Sequence, residues 1–458
     1  MKELQELNFL DKDKIKTDPE NLKIYGKDWT NYFDIKASAV LFPTNTEQVS
    51  KIVLWARKNK ISLVPSGGRT GLSGAACALN GEVIVSFDRM NQIKNFNSTE
   101  QTIVCEAGVI TEALQKWAQD HQLFYPVDFA ARGSSQIGGN IATNAGGIKV
   151  IRYGLTRDWI VGLKVVTGSG AILDLNNSLI KNATGYDLRH LMIGSEGTLG
   201  FITEATVRLI PPPPPAQVLF LAVSDLPSVM KIFAEFKNKT SVIAFEMLSQ
   251  LALNFVMKST QLASPLQNAS PYYLVIEVEN RNEDDEKNIF EVFESCLENA
   301  WTTDGVISQS QAQAKSFWRL REDISESLSP YSPYKNDISV SVSKVPDFMN
   351  DLEQVLKKAY PAWDVVWFGH IGDGNLHISI LRPEKMTKEV FVGECRKVDL
   401  LVFEAVKKYQ GSISAEHGVG LTKKAFLNFT RSQNEIDLMK GIKSIFDPDG
   451  ILNPGKIF

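Results

Sequence analysis

Apolar side chains recur at helical spacing early in the chain and alternate with polar ones in later segments. Apolar residues at positions 49, 52, 53 and 56 follow the i, i+3, i+4, i+7 pattern, which predicts an amphipathic helix over 46–59. Thr44 and Glu47, three residues apart, predict a capping box at its start. The apolar run 61–64 predicts a short strand after this helix, and the alternation over 203–209 predicts another.

Five consecutive prolines at 211–215 interrupt this pattern. Proline has a fixed φ and no backbone N–H, so we expect a stiff polyproline II spacer at a domain boundary; a ligand for an SH3-type domain is the alternative. Beyond it, 218–223 and 272–278 indicate strands, whereas 226–236 and 283–298 indicate helices, the second with an acidic N-terminus. This part of the chain therefore predicts a separate α+β domain.

The composition excludes several classes of protein. The 458 residues carry 49 Lys and Arg against 53 Asp and Glu, a net charge of −4, whereas a nucleic-acid-binding protein needs a basic excess. The four cysteines lie far apart, which argues against a disulfide scaffold, an iron–sulfur cluster or a thiolate zinc site. The first residues lack the apolar region of a signal peptide, and no apolar run approaches the roughly 18 residues that span a bilayer. We expect a multidomain cytoplasmic enzyme.

Glycine is concentrated in segments 67–74 and 133–200, which together hold more than half of the 31 glycines. The loop 65–74 (PSGGRTGLSG) can turn several N–H groups towards one anion, such as a pyrophosphate, and a plain structural turn is the alternative. The loop matches neither the Walker A nor the Rossmann pattern. Segment 126–147 has almost no bulky side chains, so we expect it to wrap a large flat ligand, and segment 194–202 is a third glycine-rich piece.

Three of the five histidines lie in two short segments near the end of the chain. In 365–380, an apolar strand, an Asp-Gly pair and a second strand predict a β-hairpin. With Asp373-Gly374 at the centre, His370 is expected to face His377, with Cβ atoms ~4.5–5.5 Å apart. Two imidazoles so placed can share a metal ion. Ordinary histidines with local hydrogen bonds are the alternative.

The second histidine segment, 411–420, places Glu416 and His417 side by side in a glycine-rich loop. Two histidines and one glutamate form a common catalytic zinc set, which leaves a coordination position open for water or substrate. The other two histidines, His121 and His190, stand alone among helical patterns, and we expect them to be structural.

The glycine-rich segments, together with the closing Asn453-Pro454-Gly455-Lys456, resemble the FAD-binding domain of vanillyl-alcohol-oxidase-type flavoproteins. Many relatives bind the flavin covalently through a histidine, but the loop 65–74 has none, so we expect non-covalent FAD. The resemblance implies that the cofactor is bound by Gly67, Gly68, Arg69, Thr70, Gly71, Ser73, Pro126, Ser135, Gly138, Gly139, Asn140, Thr143, Asn144, Gly147, Glu196, Ile202 and Asn453.

The two histidine segments have a more specific likeness. G-H-x-G-D-G-N-L-H and S-A-E-H-G-x-G resemble the D-2-hydroxyglutarate and D-lactate dehydrogenase branch of the FAD-linked oxidases. By this resemblance, zinc would be bound by His370, His377 and Glu416. His417 would be the catalytic base.

The same resemblance extends to the substrate. Segment 317–325 (FWRLREDIS) is similar to the motif of this family that binds the substrate carboxylate. The implied substrate-binding residues are Arg321, Ser325, Lys335 and Ser379. Hydroxyglutarate enzymes usually have asparagine at the position of Ser379, so the D-2-hydroxy-acid class is a firmer expectation than the longer dicarboxylate.

These resemblances together imply an α+β fold. A two-part FAD-binding domain of the vanillyl-alcohol-oxidase type, 1–210 and 411–458, would be interrupted by an inserted α+β cap domain, 211–410, that carries the histidine hairpin. The expected cofactors are non-covalent FAD and Zn²⁺.

The implied activity is zinc-assisted, FAD-dependent oxidation of a D-2-hydroxy acid, foremost D-2-hydroxyglutarate, to the 2-oxo acid. D-lactate or glycolate would be the alternative substrate. Because the scattered cysteines supply no second redox centre, electrons would pass to an external acceptor: an electron-transfer flavoprotein, a quinone or a cytochrome. Peripheral membrane attachment through that acceptor and a homodimer are left open. A zinc hydrolase, which would leave the glycine-rich segments unexplained, and a non-catalytic flavin-binding protein are the rivals from other classes.

Overall fold

The computed structural model describes residues 2–30, 32–176 and 178–458. Its contacts divide the chain into two compact units. The first unit comprises Met1–Gly147, Gly154–Pro212 and Glu416–Phe458, and the second comprises Ile148–Tyr153 and Pro213–Ala415. The first boundary between the units falls inside the proline run. Two limits differ from those expected: residues 148–153 belong to the second unit, and the chain returns to the first unit after residue 415 rather than after residue 410. No helix in the described ranges is both long and apolar enough to cross a membrane.

The first unit contains two sheets. The strands are β1 (Ile15–Lys16), β2 (Ala39–Leu41), β3 (Leu63–Ser66), β4 (Val83–Ser86), β5 (Ile93–Asn97), β6 (Thr102–Glu106), β7 (Ile160–Thr167), β8 (Ile172–Leu175) and β9 (Gly200–Arg208). The smaller sheet, in the order β1-β2-β4-β3, joins β2, β4 and β3 in parallel and adds β1 antiparallel to β2. The larger sheet is antiparallel, in the order β5-β6-β9-β7-β8.

The helix expected over 46–59 is confirmed as Thr46–Asn59, with its apolar positions in the core. Its predicted capping box is wrong: Asn45 is the N-cap and accepts from the Gln48 N–H at 2.9 Å, while Thr44 bonds the Gln48 side chain. The other α-helices of this unit are Pro19–Tyr25, Thr111–Asp120, Ile137–Thr143, Thr156–Trp159, Arg189–Met192 and Gln433–Phe446, and its 3₁₀ helices are Lys2–Glu6, Lys12–Lys14 and Lys424–Phe429.

The second unit is built on one antiparallel seven-stranded sheet. Its strands are β10 (Ala216–Val223), β11 (Val242–Ser249), β12 (Tyr272–Glu279), β13 (Asp304–Ile307), β14 (Tyr334–Ser339), β15 (Val365–Gly369) and β16 (Asn375–Ile380), in the order β13-β10-β12-β11-β15-β16-β14. The α-helices are Val150–Tyr153, Leu226–Lys239, Gln250–Thr260, Glu283–Glu298, Gln311–Glu322, Ile324–Leu328, Val345–Ala359 and Lys388–Lys408, and the 3₁₀ helices are Ser329–Tyr331 and Val342–Lys344. The four elements that the sequence predicted between 218 and 298 are confirmed.

The histidine hairpin exists, but its predicted register is wrong by two residues. Phe368, not His370, lies opposite His377, and the loop 370–374 has five residues rather than a two-residue Asp-Gly turn. His370 is therefore a diagonal neighbour of His377. Because side chains alternate faces with a period of two, a two-residue shift leaves His370 on the expected face. The ring centroids of the two imidazoles are still 5.2 Å apart.

One face of the seven-stranded sheet carries both a core and a row of polar groups. Apolar side chains of β10, β11, β12 and β15 on this face pack against helices Gln250–Thr260 and Gln311–Glu322. Towards β14 the same face becomes polar: the register sets Asp337 opposite His377 and Lys335 opposite Ser379. The fold thus brings together ionisable groups that are up to 131 positions apart in sequence, from Glu246 to His377.

Candidate functional site

The glycine-rich segments of the first unit meet around one open cleft of about 890 Å³. The side chains and backbone that line it come from the loop after β3, the helix Ile137–Thr143 and the start of β9. Twelve of the residues expected to bind the cofactor line this cleft: Gly67, Gly68, Arg69, Thr70, Gly71, Ser73, Gly138, Gly139, Asn140, Thr143, Glu196 and Ile202.

The other five expected cofactor residues are not part of the cleft lining: Pro126, Ser135, Asn144, Gly147 and Asn453. Pro126 is buried. The Ser135 Oγ lies 2.8 Å from the Thr111 Oγ1, and the Asn144 carbonyl oxygen Oδ1 accepts from the Arg157 N–H at 3.0 Å. At Gly147 an added Cβ would lie 2.1 Å from the Asp128 carbonyl oxygen. These residues shape the loops behind the cleft.

Asn453 lies outside the cleft lining and bonds the backbone of loops that form the cleft. It is fully buried, and its Nδ2 donates to the Ala75 and Glu196 carbonyl oxygens at 2.9 and 2.7 Å. Its own N–H donates to the Leu63 carbonyl oxygen at 2.7 Å. Asn453 therefore ties the final segment of the chain to two loops that line the cleft.

The cleft has features that fit a large cofactor bound against backbone. An added Cβ at Gly68 would lie 2.1 Å from the Ser134 carbonyl oxygen, so only glycine lets these two loops approach. At Gly139, by contrast, no protein atom of the described residues lies within 4 Å of the position of a Cβ. Two buried polar atoms on lining residues, Ser73 Oγ and Gln136 Oε1, have no hydrogen-bond partner within the described ranges. Such atoms are costly to bury unpaired and suit a polar ligand.

Gly139 provides a test of this cleft that separates ligand binding from folding. In Gly139→Ala the added methyl group meets no atom of the described residues beyond its chain neighbours and its own helix backbone, and alanine is favoured over glycine in a helix by about 1 kcal/mol. We expect the flavin-free protein to unfold at the same temperature or higher, while FAD binds about 1–3 kcal/mol more weakly, the usual cost of overpacking.

Fluorescence titration of the flavin-free protein with FAD measures this difference. Gly441→Ala is the matched control, because Gly441 lies in helix Gln433–Phe446, is exposed and has equally open surroundings. Equal FAD affinity of the two variants would show that no ligand approaches Gly139.

Glu196 lines the cleft, but its carboxylate is used by the protein itself. Oε1 accepts from the Val419 N–H at 2.7 Å and Oε2 from the Gly420 N–H at 2.8 Å. Burial raises the pKa of Glu196 to about 7, against the opposing effect of these two N–H donors. Glu196 thus holds the loop that follows Glu416 and His417. No pattern in the sequence indicated this pairing, which joins residues more than 220 positions apart.

Asp28 is a second residue of the cleft that the sequence analysis missed. It is buried, and its Oδ2 accepts from the Gly74 N–H at 2.7 Å, while Oδ1 accepts from the Thr30 N–H at 2.9 Å. Burial raises the pKa of Asp28. Its position supports the end of the glycine-rich loop 67–74.

In the second unit, His370 and Arg321 share one buried carboxylate. The His370 Nδ1 lies 2.8 Å from Glu246 Oε1, and the Arg321 Nη2 lies 2.7 Å from Glu246 Oε2. The Arg321 guanidinium also lies over the Phe368 ring, 5.0 Å from its centroid. Glu246 was missed, although the sequence held a signal: it is the one charged residue in the apolar strand β11.

His377 also has a carboxylate beside it. Its Nδ1 lies 3.6 Å from Asp337 Oδ1, which accepts from the Asn375 Nδ2 at 2.8 Å. In the hairpin loop, burial raises the pKa of Asp373 to about 6. A carboxylate next to the second ring nitrogen is the usual arrangement of a metal-binding histidine, so the hairpin has the surroundings of a metal site.

The expected substrate residues fall on or near the same face. Lys335 lies directly opposite Ser379 on β14 and β16, and burial lowers the pKa of Lys335. Ser379 is buried. Ser325 is half-buried in helix Ile324–Leu328, four positions after Arg321. This face thus presents two cationic side chains, Arg321 and Lys335, beside an imidazole pair.

Glu416 and His417 belong to the first unit and are half-buried. They follow Ala415, the last residue of the second unit, whose N–H lies 3.4 Å from the Asp337 carbonyl oxygen. Ala415, the residue before Glu416, is therefore bonded to the backbone of Asp337, and Asp337 is the residue of β14 that pairs with His377.

Comparison with known proteins shows which families the chain matches. Residues 37–176 match the FAD binding domain family, and residues 212–457 match the FAD linked oxidases, C-terminal domain. The D-2-hydroxyglutarate dehydrogenase of Stutzerimonas stutzeri (strain A1501) is 54% identical over 445 residues, 97% of this chain and 96% of that protein. The enzyme of the same name from Xanthomonas citri pv. viticola is 51% identical over 97% of this chain and 94% of that protein.

The fold has matches among solved structures. That of p-cresol methylhydroxylase with substrate bound superimposes with a TM-score of 0.79 at 16% identity, covering 100% of this chain and 96% of that one. The α+β fold is therefore that of the vanillyl-alcohol-oxidase-type flavoproteins, and the protein is an FAD-linked oxidoreductase. Within that class, the chain belongs to the FAD-linked D-2-hydroxy-acid dehydrogenase family.

Proposed function

We propose that this protein oxidises D-2-hydroxyglutarate to the 2-oxo acid with FAD and a divalent metal ion, foremost zinc. The observation that carries the proposal is the face of the seven-stranded sheet where Arg321 and Lys335 accompany the imidazoles of His370 and His377. Two cations suit a substrate with two carboxylates. The similarity to two D-2-hydroxyglutarate dehydrogenases over nearly the whole chain supports the same substrate.

FAD would be held by the cleft of the first unit. The backbone of 67–71 and the helix Ile137–Thr143 would face it, with Ser73 Oγ and Gln136 Oε1 as polar contacts. FAD, when bound, accepts a hydride equivalent. The loop 65–74 contains no histidine, which supports non-covalent binding.

The metal ion would be bound by His370, His377 and Glu416. The carboxylates of Glu246 and Asp337 beside the two imidazoles support this set. A divalent ion, when bound, lowers the pKa of a substrate hydroxyl. His417, next to Glu416 in the chain, would take the hydroxyl proton. Arg321 would bind a carboxylate with its planar guanidinium, and Lys335, Ser325 and Ser379 would bind the rest of the substrate.

Electrons would leave the reduced cofactor for an external acceptor, whether an electron-transfer flavoprotein, a quinone or a cytochrome. The four cysteines are free thiols and all buried. Burial raises the pKa of each thiol, for Cys77 to about 12. None is therefore a ready redox partner for the flavin.

An anaerobic substrate panel tests the proposal. The purified protein, with zinc restored, is mixed with D-2-hydroxyglutarate, D-malate, D-lactate or glycolate while flavin absorbance near ~450 nm is recorded. We expect D-2-hydroxyglutarate to bleach the flavin fastest. Faster bleaching by D-lactate would favour the second candidate function, a D-lactate dehydrogenase. The short side chain of Ser379 is the specific observation that supports this candidate. Bound flavin that no substrate bleaches would indicate a non-catalytic flavoprotein, and absence of flavin would leave a zinc hydrolase.

A further inference from the structure

A single buried carboxylate contacts both a proposed metal ligand and a proposed substrate-binding residue. Glu246 is 1% exposed and lies in the middle of β11, between β12 and β15. A charge so deeply buried must be paired, because an isolated carboxylate inside a protein is costly. Its two partners are His370 and Arg321, which are themselves 7% and 5% exposed.

The backbone register fixes the contact to His370. Met247 pairs with Gly369 and Leu248 with Phe368, so Glu246 is the position on β11 that continues this register to His370. The Nδ1–Oε1 distance of 2.8 Å is that of a charge-assisted hydrogen bond. An ionised carboxylate can only accept hydrogen bonds, so Nδ1 must carry the proton.

The contact to Arg321 uses the other carboxylate oxygen. Arg321 Nη2 lies 2.7 Å from Oε2, and the Phe368 ring packs against the guanidinium. Within the described ranges, Arg321 Nε, Arg321 Nη2 and Glu246 Oε2 form no hydrogen bond, so the contact between Arg321 and Glu246 is an ion pair. The guanidinium is therefore held in place by Glu246 while part of its donor capacity is left unused.

We propose that Glu246 is a positioning residue that fixes His370 as the Nδ1–H tautomer, in which Nε2 would be the metal-ligating nitrogen, and that fixes Arg321 for a substrate carboxylate. One side chain then couples metal binding to substrate binding. This inference rests on the proposed function for the roles of His370 and Arg321. The alternative is a buried ion pair that stabilises the sheet without orienting either group.

The tautomer of His370 is the first test, and it needs neither metal nor substrate. The flavin-containing protein is labelled with ¹⁵N-histidine and stripped of metal, and long-range ¹H–¹⁵N spectra are recorded. The chain has only five histidines, and His370→Asn identifies the signal. We expect the Nδ1–H tautomer in the wild type and loss of that preference in Glu246→Gln. A dominant Nε2–H tautomer of His370 in the wild type would overturn the proposal, even if Glu246→Gln does not fold.

Metal affinity is the second test. Metal-free protein is titrated with Zn²⁺ alone by calorimetry. We expect Glu246→Gln to bind Zn²⁺ about 10–100-fold more weakly, with unchanged flavin content, and Glu246→Asp, which retains the charge, to recover part of the loss. Glu277→Gln is the matched control: Glu277 is also a buried, ion-paired glutamate of this sheet, bonded to Lys149 at 3.1 Å. It should bind Zn²⁺ within twofold of the wild type.

The outcomes separate this inference from the proposed function. If His370→Ala binds as much Zn²⁺ as the wild type, the proposed metal site is wrong, whatever Glu246 does. If His370→Ala loses the ion but Glu246→Gln matches the wild type, the metal site stands and the positioning role is overturned. For the Arg321 branch we expect KM for the substrate to rise about tenfold in Glu246→Gln, because the buried ion pair that holds the guanidinium is lost. An unchanged KM would remove that branch.

Discussion

Replacing His417 by alanine is expected to abolish reduction of the flavin by substrate while FAD and metal remain bound. Proton removal by a positioned side chain contributes about 10²–10⁴-fold to a rate, and imidazole is the side chain that accepts a proton near neutral pH. The loop is held separately, through the Val419 and Gly420 N–H groups on Glu196. The substitution should therefore leave the backbone around position 417 in place.

Stopped-flow reduction by D-2-hydroxyglutarate under anaerobic conditions measures this loss, and metal analysis and the flavin spectrum check the cofactors. His190→Ala is the matched control, since His190 is exposed beside Asp187 in the first unit. Added imidazole should restore part of the rate to the His417 variant. A variant that reduces its flavin at the wild-type rate would exclude His417 as the base.

The second large effect is expected at Glu196, whose ionisation changes how the free energy of unfolding depends on pH. Its folded-state pKa is raised to about 7 from 4.5 by burial. Between these values the folded protein binds more protons than the unfolded chain, so this group makes the free energy of unfolding fall as pH rises. Glu196→Gln removes the ionisation. Relative to the wild type, the variant should gain about 2–3 kcal/mol between pH 5 and pH 8.

Denaturant unfolding of the flavin-free protein at several pH values measures this difference. Glu204→Gln is the contrasting control. Burial raises the pKa of Glu204, but hydrogen bonds from Lys94 and Lys164 outweigh it and lower the pKa. Glu204 therefore stabilises the fold above its unfolded pKa. Its variant should lose stability relative to the wild type as pH rises through the acid range up to the unfolded pKa, and differ from the wild type by a constant amount between pH 5 and pH 8. Parallel profiles for the wild type and Glu196→Gln would contradict a pKa near 7.

The periodicity of the chain was enough to locate many of the elements, because it reflects which side chains each element buries. The helix 46–59 and the helix 283–298 have the predicted limits. The histidine hairpin shows the limit of such inference. The face of each histidine follows from alternation alone, whereas the register depends on the five-residue loop 370–374 and on the pairing of β15 with β11. These are contacts between distant segments.

The same distinction between local patterns and contacts of distant segments applies to the candidate sites. Glycine-rich loops and histidine pairs are local patterns, and the sequence identified most residues of the cleft and of the polar face. The residues that hold them are not local. Glu196 reaches Gly420 and Glu246 reaches both Arg321 and His370 only through the folded sheets. A charged residue within an apolar strand was the sole local sign of Glu246.

The position of the final segment has a consequence for folding during synthesis. Leu63, at the start of β3, bonds both the Ile451 carbonyl oxygen and the Asn453 N–H, so β3 gains its last neighbour only from residues made almost 400 positions later. The stretch 213–415 of the second unit is continuous and can fold as it emerges from the ribosome. The first unit must wait with its N-terminal part incomplete, and such long-range closure is slow. Chaperone dependence should therefore be greatest in the flavin-binding half of the chain.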